Sequence, residues 1–95
     1  ILEQANIFRI YAQAGKVIAT TSKGNYLLRL RLYELEDRLG KSSFVRISNS
    51  EIINLKKVKA FDLSFAGTIC VSLSNGTVTY VSRRYVSKIK KVLGI

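Results

Sequence analysis

Two short polar segments interrupt a chain that is otherwise patterned for burial, and both hold side chains that hydrogen-bond well to nucleic acid. In Arg46-Ile47-Ser48-Asn49-Ser50 a basic residue leads into a cluster of short donors and acceptors. In Ser82-Arg83-Arg84-Tyr85 two arginines follow a serine where a helix is expected to start. Positive charge in the first turn of a helix opposes the macrodipole, so paired arginines there point to an anion that meets them. Arginine can hold guanine O6 and N7 together, asparagine can hold adenine N6 and N7 together, and serine readily contacts phosphate. Ser48-Asn49-Ser50 also fits a purely structural use, capping a turn formed by Glu51-Ile52-Ile53-Asn54.

The overall charge agrees with an anionic partner. Lysine and arginine total 16 against 6 acidic residues, a formal net charge of +10 in 95 residues. Each phosphate that a basic side chain neutralises releases condensed counterions from a nucleic acid. Catalytic and metal chemistry is poorly served in comparison. The chain has no histidine, which removes the commonest general base and metal ligand, and its single cysteine, Cys70, precludes an ordinary zinc site or an internal disulfide. No glycine-rich phosphate loop and no nucleophile elbow is present. The expectation is a protein that is not an enzyme and binds no cofactor. Cys70 stands between Ile69 and Val71 and reads as a half-buried strand residue. A lone thiol suits a reducing compartment, no apolar run reaches the roughly 18 residues of a membrane-spanning helix, and the N-terminal segment carries Glu3 where a secretory signal carries basic residues. A cytoplasmic protein without membrane attachment is expected.

The periodicities predict the elements that would hold these segments. Phe8, Ile10 and Ala12, then Val17 and Ala19, then Tyr26, Leu28, Leu30 and Leu32 alternate with polar residues, as strands do. The glycine-containing breaks Gln13-Ala14-Gly15-Lys16 and Ser22-Lys23-Gly24-Asn25 make this a three-stranded meander. Leu32, Leu35 and Leu39 recur at helical spacing before Gly40, which predicts a helix of about two turns whose acidic side faces away from any phosphate backbone. Strands follow at Phe44–Ile47, Val58–Leu63, Thr68–Leu73 and Thr77–Val81, and Asn75-Gly76 predicts a hairpin with both central residues at positive φ. From Ser82, taken as an N-cap, a helix runs to Leu93 with Tyr85, Val86, Ile89, Val92 and Leu93 on its packed arc and Arg83, Arg84, Lys88, Lys90 and Lys91 opposite. A chain this short is expected to build one core.

Taken in order, Phe44-Val45-Arg46-Ile47-Ser48-Asn49-Ser50, Ile52-Ile53-Asn54-Leu55, the Asn75-Gly76 turn and Ser82-Arg83-Arg84-Tyr85 resemble the LytTR-type DNA-binding domain of bacterial transcriptional response regulators. The resemblance reaches back through Leu32-Tyr33-Glu34-Leu35-Glu36 to Ile7 and so covers most of the chain. It implies that residues 1–95 form one mostly β domain. Elongated antiparallel sheets, built as a meander plus hairpins, would carry a short central helix and a C-terminal helix. It implies that loops, not a recognition helix, enter successive major grooves of double-stranded DNA at paired direct repeats, with two copies pairing on the DNA and an upstream receiver or sensor domain in the full-length regulator. Carried onto this chain, the base-contacting residues are Lys16, Asn49 and Arg84, and those contacting the backbone or supporting the site are Gln13, Ser48, Ser50, Ser82, Arg83 and Lys88. Two positions depart from the family pattern: Ser48 stands where histidine is frequent, and Gly15 stands where a polar side chain is frequent, which leaves Lys16 to supply the reach of that loop.

The competing reading is a small basic β-rich domain that binds RNA. Single-stranded RNA is usually met by displayed aromatic rings. Tyr11, Tyr26, Tyr33, Tyr80 and Tyr85 fall mostly on apolar faces of the expected elements, which assigns them to core or interface.

Overall fold

The structure is a computed structural model and describes residues 3–39 and 43–95. Strands β1 (Ile7–Gln13), β2 (Lys16–Thr21) and β3 (Gly24–Leu28) form the expected meander, followed by α1 (Leu32–Arg38). β4 (Phe44–Ser48) and β5 (Glu51–Asn54) come next, then β6 (Val58–Asp62), β7 (Ile69–Leu73), β8 (Val78–Val81) and α2 (Arg83–Leu93). The first five strands make a sheet in the order β3-β2-β1-β5-β4, and the last three a second sheet in the order β6-β7-β8, with every pairing antiparallel. The molecule measures 36 × 27 × 23 Å, longest along one axis.

The five-stranded sheet is covered on both faces, and this divides the buried side chains into two clusters where the sequence suggested one. Ile7, Ile10, Phe44 and Ile52 project to one face and meet Leu32, Leu35 and Leu39 of the α1 segment. Phe8, Val45, Ile47 and Ile53 project to the other and meet Ile69, Val71, Leu73 and Val81 of the second sheet together with Ile89 of α2. Adjacent residues such as Ile52 and Ile53 therefore serve opposite cores, as the two-residue period of a strand requires.

β5 corrects the reading of Glu51-Ile52-Ile53-Asn54 as a turn. All four of its residues are buried, because the strand is central and covered on both sides, and such a strand shows no polar alternation by which to recognise it. Asn54 is almost fully enclosed, and its amide nitrogen donates to the Ile7 carbonyl at 2.9 Å. Elsewhere the differences are local. The apolar alternation through Leu32 ends as a strand at Leu28, and Leu32 instead begins α1, where the Glu34 carboxylate accepts the Arg31 backbone N–H at 3.0 Å. Gly40, expected to stop this helix, lies outside the described residues.

The hairpin at Asn75-Gly76 is present, but Gly76 is at φ 90° while Asn75 does not take positive φ. Gly76 N–H donates to Leu73 O at 3.0 Å and Leu73 N–H to Thr77 O at 2.8 Å, which describes a three-residue loop with glycine at its left-handed position. The two-residue turn with both central residues at positive φ occurs instead at Ala14 (φ 52°) and Gly15 (φ 77°). α2 ends where expected, Gly94 at φ 76° closing it with Ile95 N–H on Lys90 O and Gly94 N–H on Lys91 O.

Candidate nucleic-acid interface

Three exposed segments are gathered at one end of the five-stranded sheet, for reasons visible in the pairing. β1 runs into the Ala14-Gly15 turn, and its antiparallel register against β5, Tyr11 opposite Glu51, sets the β4–β5 turn beside it. The Ala12 backbone N–H donates to the Ser50 carbonyl at 2.8 Å. On the far side of that turn, the Ser82 N–H donates to the Ile47 carbonyl at 2.9 Å and fastens the start of α2 to the end of β4. The row thus runs from the first turn of α2, through Asn49-Ser50, to Ala14-Gly15.

Its centre is a cluster made by residues 35 and 36 positions apart. Arg84 Nη1 donates to Asn49 Oδ1 at 3.3 Å, and the Tyr85 hydroxyl donates to the same oxygen at 3.3 Å. The Arg84 guanidinium also lies 5.6 Å from the centre of the Tyr85 ring, within range of a cation–π contact. No acidic residue occupies the first turn of α2, so its charge there is wholly positive.

Arg46 shapes the loop from beneath. Its Nε donates to the Ser48 carbonyl and its Nη2 to the Asn49 carbonyl, each at 2.7 Å, while Nη1 meets Glu36 Oε1 of α1 at 2.8 Å. Three of the guanidinium's donors, one on each nitrogen, are thus used to hold the turn. Ser48 Oγ accepts the Ser50 N–H at 3.1 Å and lies 3.3 Å from Ser50 Oγ. This is the local bonding by which serine favours a turn, so the hydroxyl of Ser48 has a structural use whatever else it touches.

The other expected site residues are placed differently. Gln13 and Lys16 face each other across the Ala14-Gly15 turn and are exposed. Among the described residues no hydrogen bond or ion pair joins them to the Asn49 cluster. Ser82 supplies no side-chain cap, and its hydroxyl oxygen is enclosed with no hydrogen-bond partner among the described residues. Its fixed backbone is what it brings to the site. Arg83 lies against the loop before β7, where a Cβ on Gly67 would stand 3.1 Å from Arg83 Nε. Lys88 Nζ is 3.7 Å from Glu36 Oε2, so one carboxylate on the acidic side of α1 turns toward the basic helix at this point.

Behind the row sits a buried charge. Glu51, at the start of β5, is 7% exposed. It meets Arg9 Nε at 2.8 Å and accepts a hydrogen bond from Thr79 of β8 at 2.8 Å, so it ties both sheets together. Burial pushes its pKa above the ordinary glutamate value, against the opposing pull of the Thr79 hydroxyl and the Arg9 charge. Arg9 in turn stacks over Tyr11 at 4.1 Å. Sequence reasoning singled out the segments that hold Arg46 and Tyr85 without giving either side chain a role of its own, and it did not find Glu51 or Arg9. Arg46 carried a signal, being a basic residue two positions before the polar cluster, but the partners of Glu51 become visible only once the sheets are stacked.

The tyrosines also need correction: Tyr26, Tyr33 and Tyr80 are 40%, 66% and 52% exposed. They stand on β3, α1 and β8, three separate elements, and only Tyr85 belongs to the row described above. No helix of the described residues is long and apolar enough to cross a membrane.

The family model described as the LytTr DNA-binding domain matches residues 1–94 of the chain. An uncharacterized HTH-type transcriptional regulator of Staphylococcus aureus strain NCTC 8325 is 44% identical over 95 residues, a match that takes in 100% of this chain and 64% of that protein. Its counterpart in strain MRSA252 is 43% identical over the same 95 residues. The chain therefore spans 64% of the length of these curated relatives. Among solved structures, a LytTr DNA-binding domain from Bacillus cereus is similar with a TM-score of 0.94 and 28% identity, over 99% of this chain and 86% of that one.

Proposed function

The chain belongs to the LytTr DNA-binding domain family, and from that premise we propose that it is the module by which a transcriptional regulator reads double-stranded DNA in a sequence-specific way. The observation that carries the proposal is the cluster of Asn49, Arg84 and Tyr85 at an exposed sheet end, two base-reading side-chain types held by a turn and a helix start that the chain brings together from 35 residues apart. Arg84 and Asn49 meet base edges in one major groove. The Ala14-Gly15 turn presents Lys16 farther along the row, toward the next groove. Arg83 and Lys88 meet phosphates at the flank, and Gln13, Ser48, Ser50 and Ser82 hold the loops in position. The ion pair of Lys88 with Glu36 is exposed and worth little, so phosphate can compete for the lysine.

In the full-length protein this module acts in the cytoplasm, attached to an upstream receiver or sensor domain, and two copies occupy paired direct repeats. Support for a longer regulator comes from the relatives, which extend well beyond the matched segment and are named as transcriptional regulators. The three exposed tyrosines do not form a stacking platform beside the basic row, which favours duplex DNA over single-stranded RNA.

Selection of bound sequences from a random duplex pool at physiological salt tests the reading. Enrichment of one motif, recurring twice at a fixed separation, is the expected result. If no motif enriches while single-stranded RNA binds well, the DNA assignment fails. A single, unrepeated motif would retain the DNA assignment and remove the paired-repeat arrangement.

A further inference from the structure

We infer that Asn49 meets the major groove as a hydrogen-bond donor only, so that the base it contacts is read through acceptors and not through an exocyclic amine. The inference rests on the DNA-binding reading above and concerns what that site selects. An asparagine that recognises adenine uses both halves of its carboxamide, Nδ2 donating to N7 and Oδ1 accepting from N6. In this protein Oδ1 is already engaged from two sides, by Arg84 Nη1 and by the Tyr85 hydroxyl, each at 3.3 Å. A carbonyl oxygen has two lone pairs, and two donors fill them.

The direction of the amide follows from the chemistry of its neighbour. A guanidinium carries donors alone and stays protonated, so the oxygen of Asn49 must face Arg84, because the reverse orientation would set N–H against N–H. The main chain that carries Asn49 is also fixed. Arg46 binds the main-chain carbonyls of Ser48 and Asn49, and Ser48 Oγ accepts the Ser50 N–H. What these contacts leave unengaged is the Nδ2 pair of protons, together with the N–H groups of Arg84 that Asn49 does not use.

The surface offered to DNA by these two residues is thus made of donors throughout. Its complement is a run of acceptors: guanine O6 and N7, thymine O4, or a purine N7 alone. Adenine N6 and cytosine N4 would bring a donor against a donor. On the contacted strand the positions read by Asn49 and Arg84 are therefore guanine or thymine, and an adenine is tolerated there only through its N7.

The test starts from the motif selected by the wild-type domain and locates the position whose preference is lost in Asn49→Ala, with circular dichroism to show that the variant is folded. The expected base there is guanine or thymine. Where it is guanine, substitution by 7-deazaguanine weakens wild-type binding about tenfold and leaves Asn49→Ala nearly unaffected. In the double variant Arg84→Ala, Tyr85→Phe, which frees Oδ1, adenine becomes acceptable at that position. The inference is overturned if the position is adenine and its replacement by purine, which lacks only the N6 amine, weakens wild-type binding as much as Asn49→Ala does. It is also overturned if Asn49→Ala alters no position of a clear motif. Absence of any enriched motif removes the DNA-binding reading itself, which separates the two failures.

Discussion

At the scale of single residues, the proposed roles of Arg84 as a base reader and Lys88 as a phosphate contact separate two side chains that lie one helical turn apart on α2. Arg84 is held by Asn49 and Tyr85 in a defined direction, whereas Lys88 has only a loose, exposed partner in Glu36. Arg84→Ala should erase preference at particular base pairs, costing about 1–3 kcal/mol of discrimination. Lys88→Ala should weaken all sequences alike and reduce the slope of log affinity against log salt by about one. Titrations of matched and mismatched duplexes at several salt concentrations separate the two, and identical behaviour of both variants would contradict the division. Arg46 differs from both because its three hydrogen bonds are internal. Arg46→Ala should lower stability by about 1–3 kcal/mol in urea melts and blur the motif, with lysine a poor replacement since it lacks the planar fork. Gly67 acts at one remove: its φ of 75° and the closeness of Arg83 mean that Gly67→Ala strains the loop and displaces the guanidinium. A loss of about 1 kcal/mol in stability is expected, with a sequence-independent fall in affinity seen in the same titrations.

At the scale of elements, the site depends on how three termini are joined. The Ser82 to Ile47 backbone bond makes the first turn of α2 a continuation of β4, and Ile89, fully buried, anchors the helix behind it. The turn between β1 and β2 is less settled. Ala14 takes φ 52° in a turn whose central residues must both be left-handed, a conformation that suits asparagine or glycine better than alanine. Ala14→Asn should therefore raise the urea midpoint by an amount equivalent to about 1 kcal/mol. An unchanged or lowered midpoint would show that the turn is not strained. The added amide would also add a polar side chain to the turn between Gln13 and Lys16.

At the scale of the whole molecule, Glu51 joins the sheets through Arg9 of β1 and Thr79 of β8, and it does so from a buried position. Because burial raises its pKa, the folded state holds the Glu51 proton more tightly than the unfolded chain does. The associated stability is complete below the ordinary glutamate pKa and is lost as pH rises through the raised native value. The difference in unfolding free energy between wild type and Glu51→Gln should accordingly shrink or reverse as pH rises from that ordinary value toward neutrality. Denaturant melts across the window give the sign directly, and a difference that grows with pH would show that Arg9 and Thr79 outweigh burial. Net charge acts at the same scale: +10 makes binding strongly salt-dependent whichever residues touch the bases.

Much of this was legible in the chain because it depends on local chemistry. Strand alternation in β2 and β7 and the helical spacing of α2 are properties of consecutive residues, and the basic excess is a sum over all of them, whereas the irregular pairing between Ile7 and Arg9 sends Phe8 and Ile10 of β1 to opposite cores against their alternation. The segments that hold Asn49 and Arg84 stood out for the same reason, as residue types out of place in a packed pattern, and the resemblance singled out these two residues within them. Only the tertiary structure decided that they touch, since their contact is made by the fastening of α2 to the end of β4. It decided as well that Glu51-Ile52-Ile53-Asn54 is a central strand, because burial on both faces erases the alternation that marks a half-exposed one. The orientation of the Asn49 amide belongs to the same class. An amide can present either end to a ligand, and here the choice is made by a guanidinium that arrives from 35 residues away.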